Sequence, residues 1–293
     1  MKFTLDYAPN VLVHVQENFE EQGFVVVPGL LERAELETFA PHVDAGVAQR
    51  GANDTRKLDK KSRYEQCFQQ CINLWEDCPE VRPLTFHPRL ARAAAELLGV
   101  AGVRLWHDQA LYKEAGGRAT DPHQDQPYWP IRETRTVSAW IPLAGSQLEN
   151  GAMGYVPGSH RFGVRRFVNI FGEEKPYDLL SGPEARGIEP VFLEVPPGSV
   201  AFHHGLTIHL SKPNKSKETR RVHTVIYFAD GCTRDSEFWH FSVDRFGIGV
   251  GEPIASPATP LAWPRDMGDL PDAPPDEALA FGTRGKRDDG GER

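Results

Sequence analysis

The chain is short of sulfur: its 293 residues include four Cys and three Met. Cys67, Cys71, Cys78 and Cys232 do not form two close pairs, and no matching His pair follows them, which excludes a zinc-finger or zinc-ribbon spacing. The expectation is reduced, mostly buried thiols, as in a cytoplasmic protein. Long apolar runs are missing too. Nothing approaches the ~18 consecutive apolar residues of a membrane-spanning helix, so no membrane partner is expected. Met1–Asn10 lacks a basic start followed by an apolar core and does not read as a secretory signal. Positive charge is in deficit, with 33 Lys and Arg against 41 Asp and Glu and a formal net charge of −8. Without a dominant basic block, nucleic acid is excluded as an expected partner, and an anionic substrate would need a local basic patch. There is no internal repeat.

What is present suits one globular domain: 40% hydrophobic and 25% charged residues in a chain long enough for a large core. Residues 11–22 predict a short helix. Gly23–Gly29 is a β-branched run between breakers and predicts a strand. Leu30 to about Gln49 carries a helical apolar stripe, and 53–64 is a charged loop. His87–Leu98 predicts a helix with Pro88 in its first turn and Gly99 at its stop. After Gly102 the texture changes to short strands and turns: 103–113, 136–143, 152–156, 191–195, 199–209 and 221–229. Seven or eight strands over about 125 residues argue for a β-sandwich or jelly roll rather than a parallel α/β sheet. The expected organisation is a single domain over 1–283, with a helical N-terminal region over 1–102, a β core about 103–230 and an extension 231–283. Residues 284–293 are expected to be a disordered tail.

The chemistry concentrates at Pro122-His123-Gln124-Asp125-Gln126. On an extended strand, residues two apart share a face, so His123 and Asp125 are placed to reach one metal ion. A third ligand is expected downstream, and His209 is the candidate. On local sequence His203 and His204 compete for that place. Two His and one carboxylate make the facial triad of non-haem Fe(II) oxygenases, which leaves coordination positions open. Arg220 lies eleven residues after His209, beyond the turn at Pro213-Asn214. A hairpin there brings a guanidinium back beside His209, suited to grip a carboxylate through paired hydrogen bonds. Arg221, its neighbour on the strand, should face outward. Gln109, Thr120, Trp140 and Ser211 are further side chains on facing strands.

The residues His123-Gln124-Asp125, Trp140-Ile141-Pro142-Leu143, Asn150-Gly151, Val156-Pro157-Gly158-Ser159-His160 and His209 through Arg220 occur in order. Together they resemble the phytanoyl-CoA dioxygenase family of Fe(II)/2-oxoglutarate oxygenases, over about Gly23 to Phe228. The resemblance implies a mainly β fold with flanking helices: a double-stranded β-helix, cupin-like, with iron in its mouth. It implies His123, Asp125 and His209 as iron ligands and favours His209 over His203 and His204. It implies Arg220 as partner of the distal 2-oxoglutarate carboxylate, Ser211 as its hydrogen-bonding neighbour and Trp140 beside the cosubstrate. Gln109 and Thr120 are added from the residues alone. The implied activity is an Fe(II)- and O₂-dependent dioxygenase that releases succinate and CO₂ and hydroxylates an unactivated C–H bond of a small-molecule or acyl substrate. Related halogenases replace the ligand carboxylate with a small residue, so Asp125 favours hydroxylation or another oxidation. Tyr128 and Trp129 are candidates for the substrate pocket, Phe238–Phe241 for a lid, and Arg161, Arg165 and Arg166 for an anionic substrate. Competing readings are a cupin-type metalloenzyme that does not use 2-oxoglutarate, and a non-catalytic ligand-binding protein of the same fold. The sequence leaves the oligomeric state open.

Overall fold

The computed structural model describes residues 9–265 and 270–275; the expected tail at 284–293 lies outside them. In chain order the helical front comprises α1 (Pro9–Gln22), β1 (Phe24–Val27), α2 (Arg33–Gly51), β2 (Gln69–Ile72), α3 (Leu74–Asp77), α4 (Arg82–Thr85) and α5 (Pro88–Leu98). The strand-rich region follows with β3 (Val103–Lys113), β4 (Thr120–His123), β5 (Thr136–Pro142), β6 (Met153–Tyr155), β7 (Val191–Phe192), β8 (Val200–His204), β9 (His209–Ser211) and β10 (Arg220–Ala229). Then come α6 (Phe241–Asp244) and β11 (Leu261–Trp263).

The strands form two antiparallel sheets. The larger runs β1-β8-β5-β10-β3-β11, with β2 also on β3, and the smaller runs β4-β9-β6-β7. This is the mainly β jelly-roll architecture that the strand pattern predicts. The front carries β1, as the sequence predicts, and also β2, which it did not; both join the larger sheet. Helix α2 begins at Arg33 rather than Leu30, since the Glu35 carboxylate accepts the backbone N–H of Glu32 at 2.7 Å and fixes the start there. Helix α5 matches its signals: Pro88 opens it and Gly99 ends it at φ 63°. Strand β7 stops at Phe192, and Val195 instead makes an isolated bridge to Ser146.

Alternation along each strand assigns its two faces. Val137, Ala139 and Ile141 of β5, Val200 and Phe202 of β8, and Val225 and Tyr227 of β10 pack with Leu36, Val43, Leu90 and Ala94 of the helices. The intervening residues face the smaller sheet: Trp140, Ala201 and Val222 pack with Tyr155 and Met153 of β6. The candidate site residues lie on this inner face, between the sheets.

Candidate active site

Strand β4 ends at His123, and Asp125 already has helical backbone angles (φ −76°, ψ −42°) ahead of a single 3₁₀ turn at Gln126–Tyr128. The sequence reading placed both residues on one extended strand. The structure brings them together through a turn instead, which Pro127 favours by fixing its own φ. Two glutamines lock that turn. Gln124 donates to the carbonyls of Leu206 (2.6 Å) and Gly163 (3.0 Å) and accepts from the Arg165 N–H (2.7 Å). Gln126 donates to the Ile131 carbonyl (3.0 Å) and accepts from the Thr136 hydroxyl (2.7 Å).

His123 and His209 are cross-strand partners on β4 and β9. One ligand atom from each of His123, Asp125 and His209 lies within 4.8 Å of the other two. Both imidazoles are fixed in the same way: His123 Nδ1 sits 2.8 Å from the Asp121 carbonyl, and His209 Nδ1 sits 3.0 Å from the Thr207 carbonyl. A carbonyl only accepts, so each Nδ1 carries the proton and each Nε2 offers a lone pair to the shared space. Burial lowers the pKa of both rings, His209 well below its ordinary value. Neutral, metal-ready imidazoles are therefore the favoured forms.

Burial would raise the Asp125 pKa, but His209, His203 and His123 outweigh it and hold the carboxyl well below the usual carboxylate range. Asp125 Oδ2 accepts from Ser138 Oγ (2.8 Å) and His203 Nε2 (3.1 Å). Ser138 and His203 face each other across β5 and β8. Oδ1 is left toward His209 Nε2 (3.6 Å) and His123 Nε2 (4.0 Å). Sequence reasoning treated His203 as a rival ligand and did not single out Ser138. The signal was there, since Ser138 and Trp140 sit two apart on a strand whose alternate residues face inward.

Arg220 and Arg221 divide as the sequence predicted. Arg220 is buried, and Arg221 pairs with Asp44 at 2.5 Å in a half-exposed ion pair. The Arg220 guanidinium lies 5.3 Å from the Trp140 ring and donates to the Gly151 carbonyl. Gly151 has φ +100°, and a Cβ there would meet Lys113 at 2.8 Å and the Lys212 carbonyl at 3.0 Å, so a side chain would disturb this contact. Burial lowers the Arg220 pKa to about 10, leaving it cationic at neutral pH. Ser211 donates to Thr120 at 2.8 Å across β9 and β4. Gln109 accepts from Gln70 at 2.5 Å.

One cavity, with ≈ 840 Å³ of empty space out to its mouth, is lined by His123, Asp125, His209, Arg220, Ser211, Thr120, Trp140 and Gln109 together. It also takes in residues the sequence did not single out, among them Gln70, Thr224 and Phe171. Of the predicted substrate-side residues, Tyr128, Trp129, His240 and Phe241 line it. Trp239 is exposed at the surface. Arg161 donates to the Glu21 carbonyl, Arg165 pairs with Glu184 and Arg166 covers the Tyr177 ring, away from this cavity.

The donor set fits ferrous iron: two imidazoles and one carboxylate on one side, with open positions opposite. The other end of the cavity fits an anion. Arg220 Nε, Trp140 Nε1 and Thr224 Oγ1 are buried without a hydrogen-bond partner in the protein. Buried polar atoms without partners are costly, and these three, with His203 Nδ1 as a fourth in the same lining, mark a place shaped for a polar ligand. A guanidinium held there with a carbonyl for company suits a carboxylate.

The phytanoyl-CoA dioxygenase (PhyH) family model matches residues 19–222. Phytanoyl-CoA dioxygenase domain-containing protein 1 of Bos taurus is 26% identical over 71% of this chain and 87% of its own length. Its Mus musculus counterpart is 28% identical over 50% of this chain, and the alignment spans about half of that relative (52%). Among solved structures, the non-heme alpha-ketoglutarate-dependent carbocyclase SnoK from nogalamycin biosynthesis superposes with a TM-score of 0.71, at 26% identity, over 85% of this chain and 95% of its own. The metal-ligating cluster and the arginine end of the cavity fit the iron and 2-oxoglutarate that oxygenases of this kind use. On the family match, with the jelly roll and the paired metal and anion sites, the chain belongs to the phytanoyl-CoA dioxygenase family.

Proposed function

We propose that the protein hydroxylates an unactivated C–H bond of a small organic molecule, with His123, Asp125 and His209 as the iron ligands. Arg220 binds the distal carboxylate of 2-oxoglutarate. The Ser211–Thr120 hydroxyl pair and Trp140 flank it, and Gln109 closes the same wall. The chemistry supplied there is decarboxylation of 2-oxoglutarate to succinate and CO₂, coupled to oxidation of the substrate C–H bond. The chain's own task is to bind, orient and keep water out. The two backbone carbonyls fix both Nε2 lone pairs, Ser138 and His203 aim Asp125, and a buried cation draws the diacid in. The reading rests above all on one observation: three metal-ligating atoms within 4.8 Å and a buried guanidinium share one cavity. A carboxylate at position 125 supports hydroxylation over halogenation, because it occupies the place a halide would need. Four buried free thiols, Cys67, Cys71, Cys78 and Cys232, support a reducing, cytoplasmic setting.

The test is succinate release with and without 2-oxoglutarate, together with metal binding under argon. Asp125→Ala is expected to lose both tight Fe(II) binding and coupled succinate formation. Unchanged succinate production by that variant would refute the assignment, and substrate oxidation without 2-oxoglutarate would favour a cupin-type enzyme of another class.

A further inference from the structure

The cavity has two chemically different ends, and strand β3 orders them. Leu111, Gln109 and His107 are alternate residues on one strand face and all line it. In register, Lys113 stands opposite Arg220 and His107 opposite Ile226. His107 is therefore six residues, or ~20 Å along the strand, from the level of the anion-binding arginine. A five-carbon diacid anchored at Arg220 covers a fraction of that length, so the His107 end is left for substrate.

Aliphatic side chains are the smaller part of the lining: Leu111, Leu210 and Met153 toward the Arg220 end, Ile72 opposite Gln109, and Ile170 next to Phe171 in sequence. Leu111 lies opposite Val222, two residues from Arg220, and Met153 lies opposite Ser211, next to Leu210. Rings form most of the rest, contributed by five separate segments. Tyr64 lies 4.5 Å from Phe171, which lies 5.6 Å from Tyr128 at 83°. His107 lies 6.3 Å from Trp129 at 82° and 5.8 Å from Phe241. Tilted and edge-on rings of this kind offer faces and edges to a flat, conjugated ligand.

Charge points the same way. Among the described residues lining the cavity, Arg220 is the sole Lys or Arg, and the cosubstrate engages it. Near Tyr64 in sequence, Arg63 pairs with Asp121 (2.7 Å), Lys61 with Glu114, and Arg56 with Asp54 (2.9 Å) and Glu65 (2.7 Å). Besides Arg220, an anionic head group would meet no Lys or Arg among the described residues that line the cavity.

We propose that the ring-lined end, on the reading of the site given above, takes an uncharged molecule with a planar conjugated ring system, and not an acyl-CoA or a free fatty acid. Trp129 and Phe171 supply stacking surfaces, and Tyr64 and Phe241 bound the site.

The test uses the full-length protein loaded with Fe(II) and 2-oxoglutarate under argon. Equilibrium dialysis compares an O-methylated hydroxyanthraquinone, its carboxylate derivative, a saturated long-chain acyl-CoA and the matching free fatty acid. The neutral ring probe is expected to bind at least tenfold tighter than each of the other three. Phe171→Leu and Trp129→Leu are each expected to weaken it about five- to tenfold, in line with measured aromatic pair contributions, while the dissociation constant for 2-oxoglutarate stays unchanged. Two positions are probed so that one poorly folded variant leaves the other informative. Tighter binding of the acyl-CoA or fatty acid, equal binding of all four, or no binding of the ring probe would each overturn the proposal. Failure to bind Fe(II) or 2-oxoglutarate at all would instead overturn the oxygenase reading beneath it.

Discussion

Removing the His203 side chain should loosen the metal without touching a ligand. Asp125 Oδ2 rests on a cross-strand pair, Ser138 Oγ at 2.8 Å and His203 Nε2 at 3.1 Å. These two donors turn Oδ1 toward the imidazoles and block Oδ2 from joining the coordination. A hydrogen bond to a charged group is worth about 1.5–3 kcal/mol. Some of that returns when the carboxylate relaxes onto Ser138 alone. Loss of such outer partners typically costs 10–100-fold in metal affinity, or about 1.4–2.7 kcal/mol at 1.36 kcal/mol per tenfold. His203→Leu should fall in that range. Ser138→Ala should cost less, because it removes one small hydroxyl and leaves the His203 N–H and its ring in place against Oδ2. His203→Gln retains an N–H donor and should recover some of the loss. The assay is anaerobic calorimetric titration with Co(II) as a redox-inert probe, with circular dichroism to confirm the fold. Metal affinity within twofold of wild type for a folded His203→Leu protein would refute the reasoning. So would His203→Gln behaving no better than His203→Leu, because the donor would then not be what matters.

Arg220→Lys should raise the dissociation constant for 2-oxoglutarate by tenfold or more, since an ammonium cannot make the paired contact of a guanidinium. Arg221→Ala should leave it unchanged and cost under ~1 kcal/mol of stability, as expected for a half-exposed pair; competition dialysis with labelled 2-oxoglutarate separates the two. Burial raises the Asp108 carboxyl from 3.8 to about 7, while it accepts from Thr85 Oγ1 (2.6 Å) and the Trp75 N–H (3.1 Å). A raised folded-state pKa adds stability that is full below pH ~4 and is lost as pH climbs to ~7, up to ~4 kcal/mol. Asp108→Asn should remove that slope from the difference in Tm between pH 4 and 7, and parallel curves for the two proteins would contradict it. Arg245 and Glu76 form a two-point ion pair at 2.7 and 2.9 Å with both side chains fully buried. Arg245→Met should cost about 3–5 kcal/mol in denaturant unfolding by stranding a carboxylate, and adding Glu76→Gln should restore much of it.

The opposite facing of Arg220 and Arg221 was legible from strand alternation alone. Periodicity read β3, β5, β8 and β10 because each buries both faces under long β-branched or aromatic runs. It missed β2, whose Gln69-Gln70-Cys71-Ile72 carries little strand signal and is defined by pairing with β3. It missed β11 and α6 for a similar reason. Leu261–Trp263 is three residues long and held by β3, and Phe241–Asp244 is anchored by the Arg245–Glu76 pair. The ring-lined end was only partly legible. Tyr128 and Trp129 are adjacent to the His-x-Asp motif and Phe241 lies in the candidate lid stretch, but Tyr64 and Phe171 reach the cavity from segments whose local sequence gives no direction. Their placement is a tertiary fact.

The division of labour between the two sheets explains why the site tolerates such an irregular surround. The smaller sheet supplies His123, His209, Thr120 and Ser211, while the larger supplies Arg220, Trp140 and the Ser138–His203 pair. Asp125 belongs to neither: it leaves β4 on a turn and crosses to the larger sheet, where its Oδ2 docks. One carboxylate thus joins the sheets, with one oxygen fixed to the wall and the other facing the imidazoles. Metal geometry then depends on how closely the sheets pack, which the Trp140–Tyr155–Met153 layer sets. Among the described residues, the irregular segment 161–189 and the C-terminal extension reach the cavity through Ile170 and Phe171 and through His240 and Phe241, toward its far end. Changes in those segments can therefore redirect substrate choice while the metal and diacid sites, built on the sheets, stay as they are.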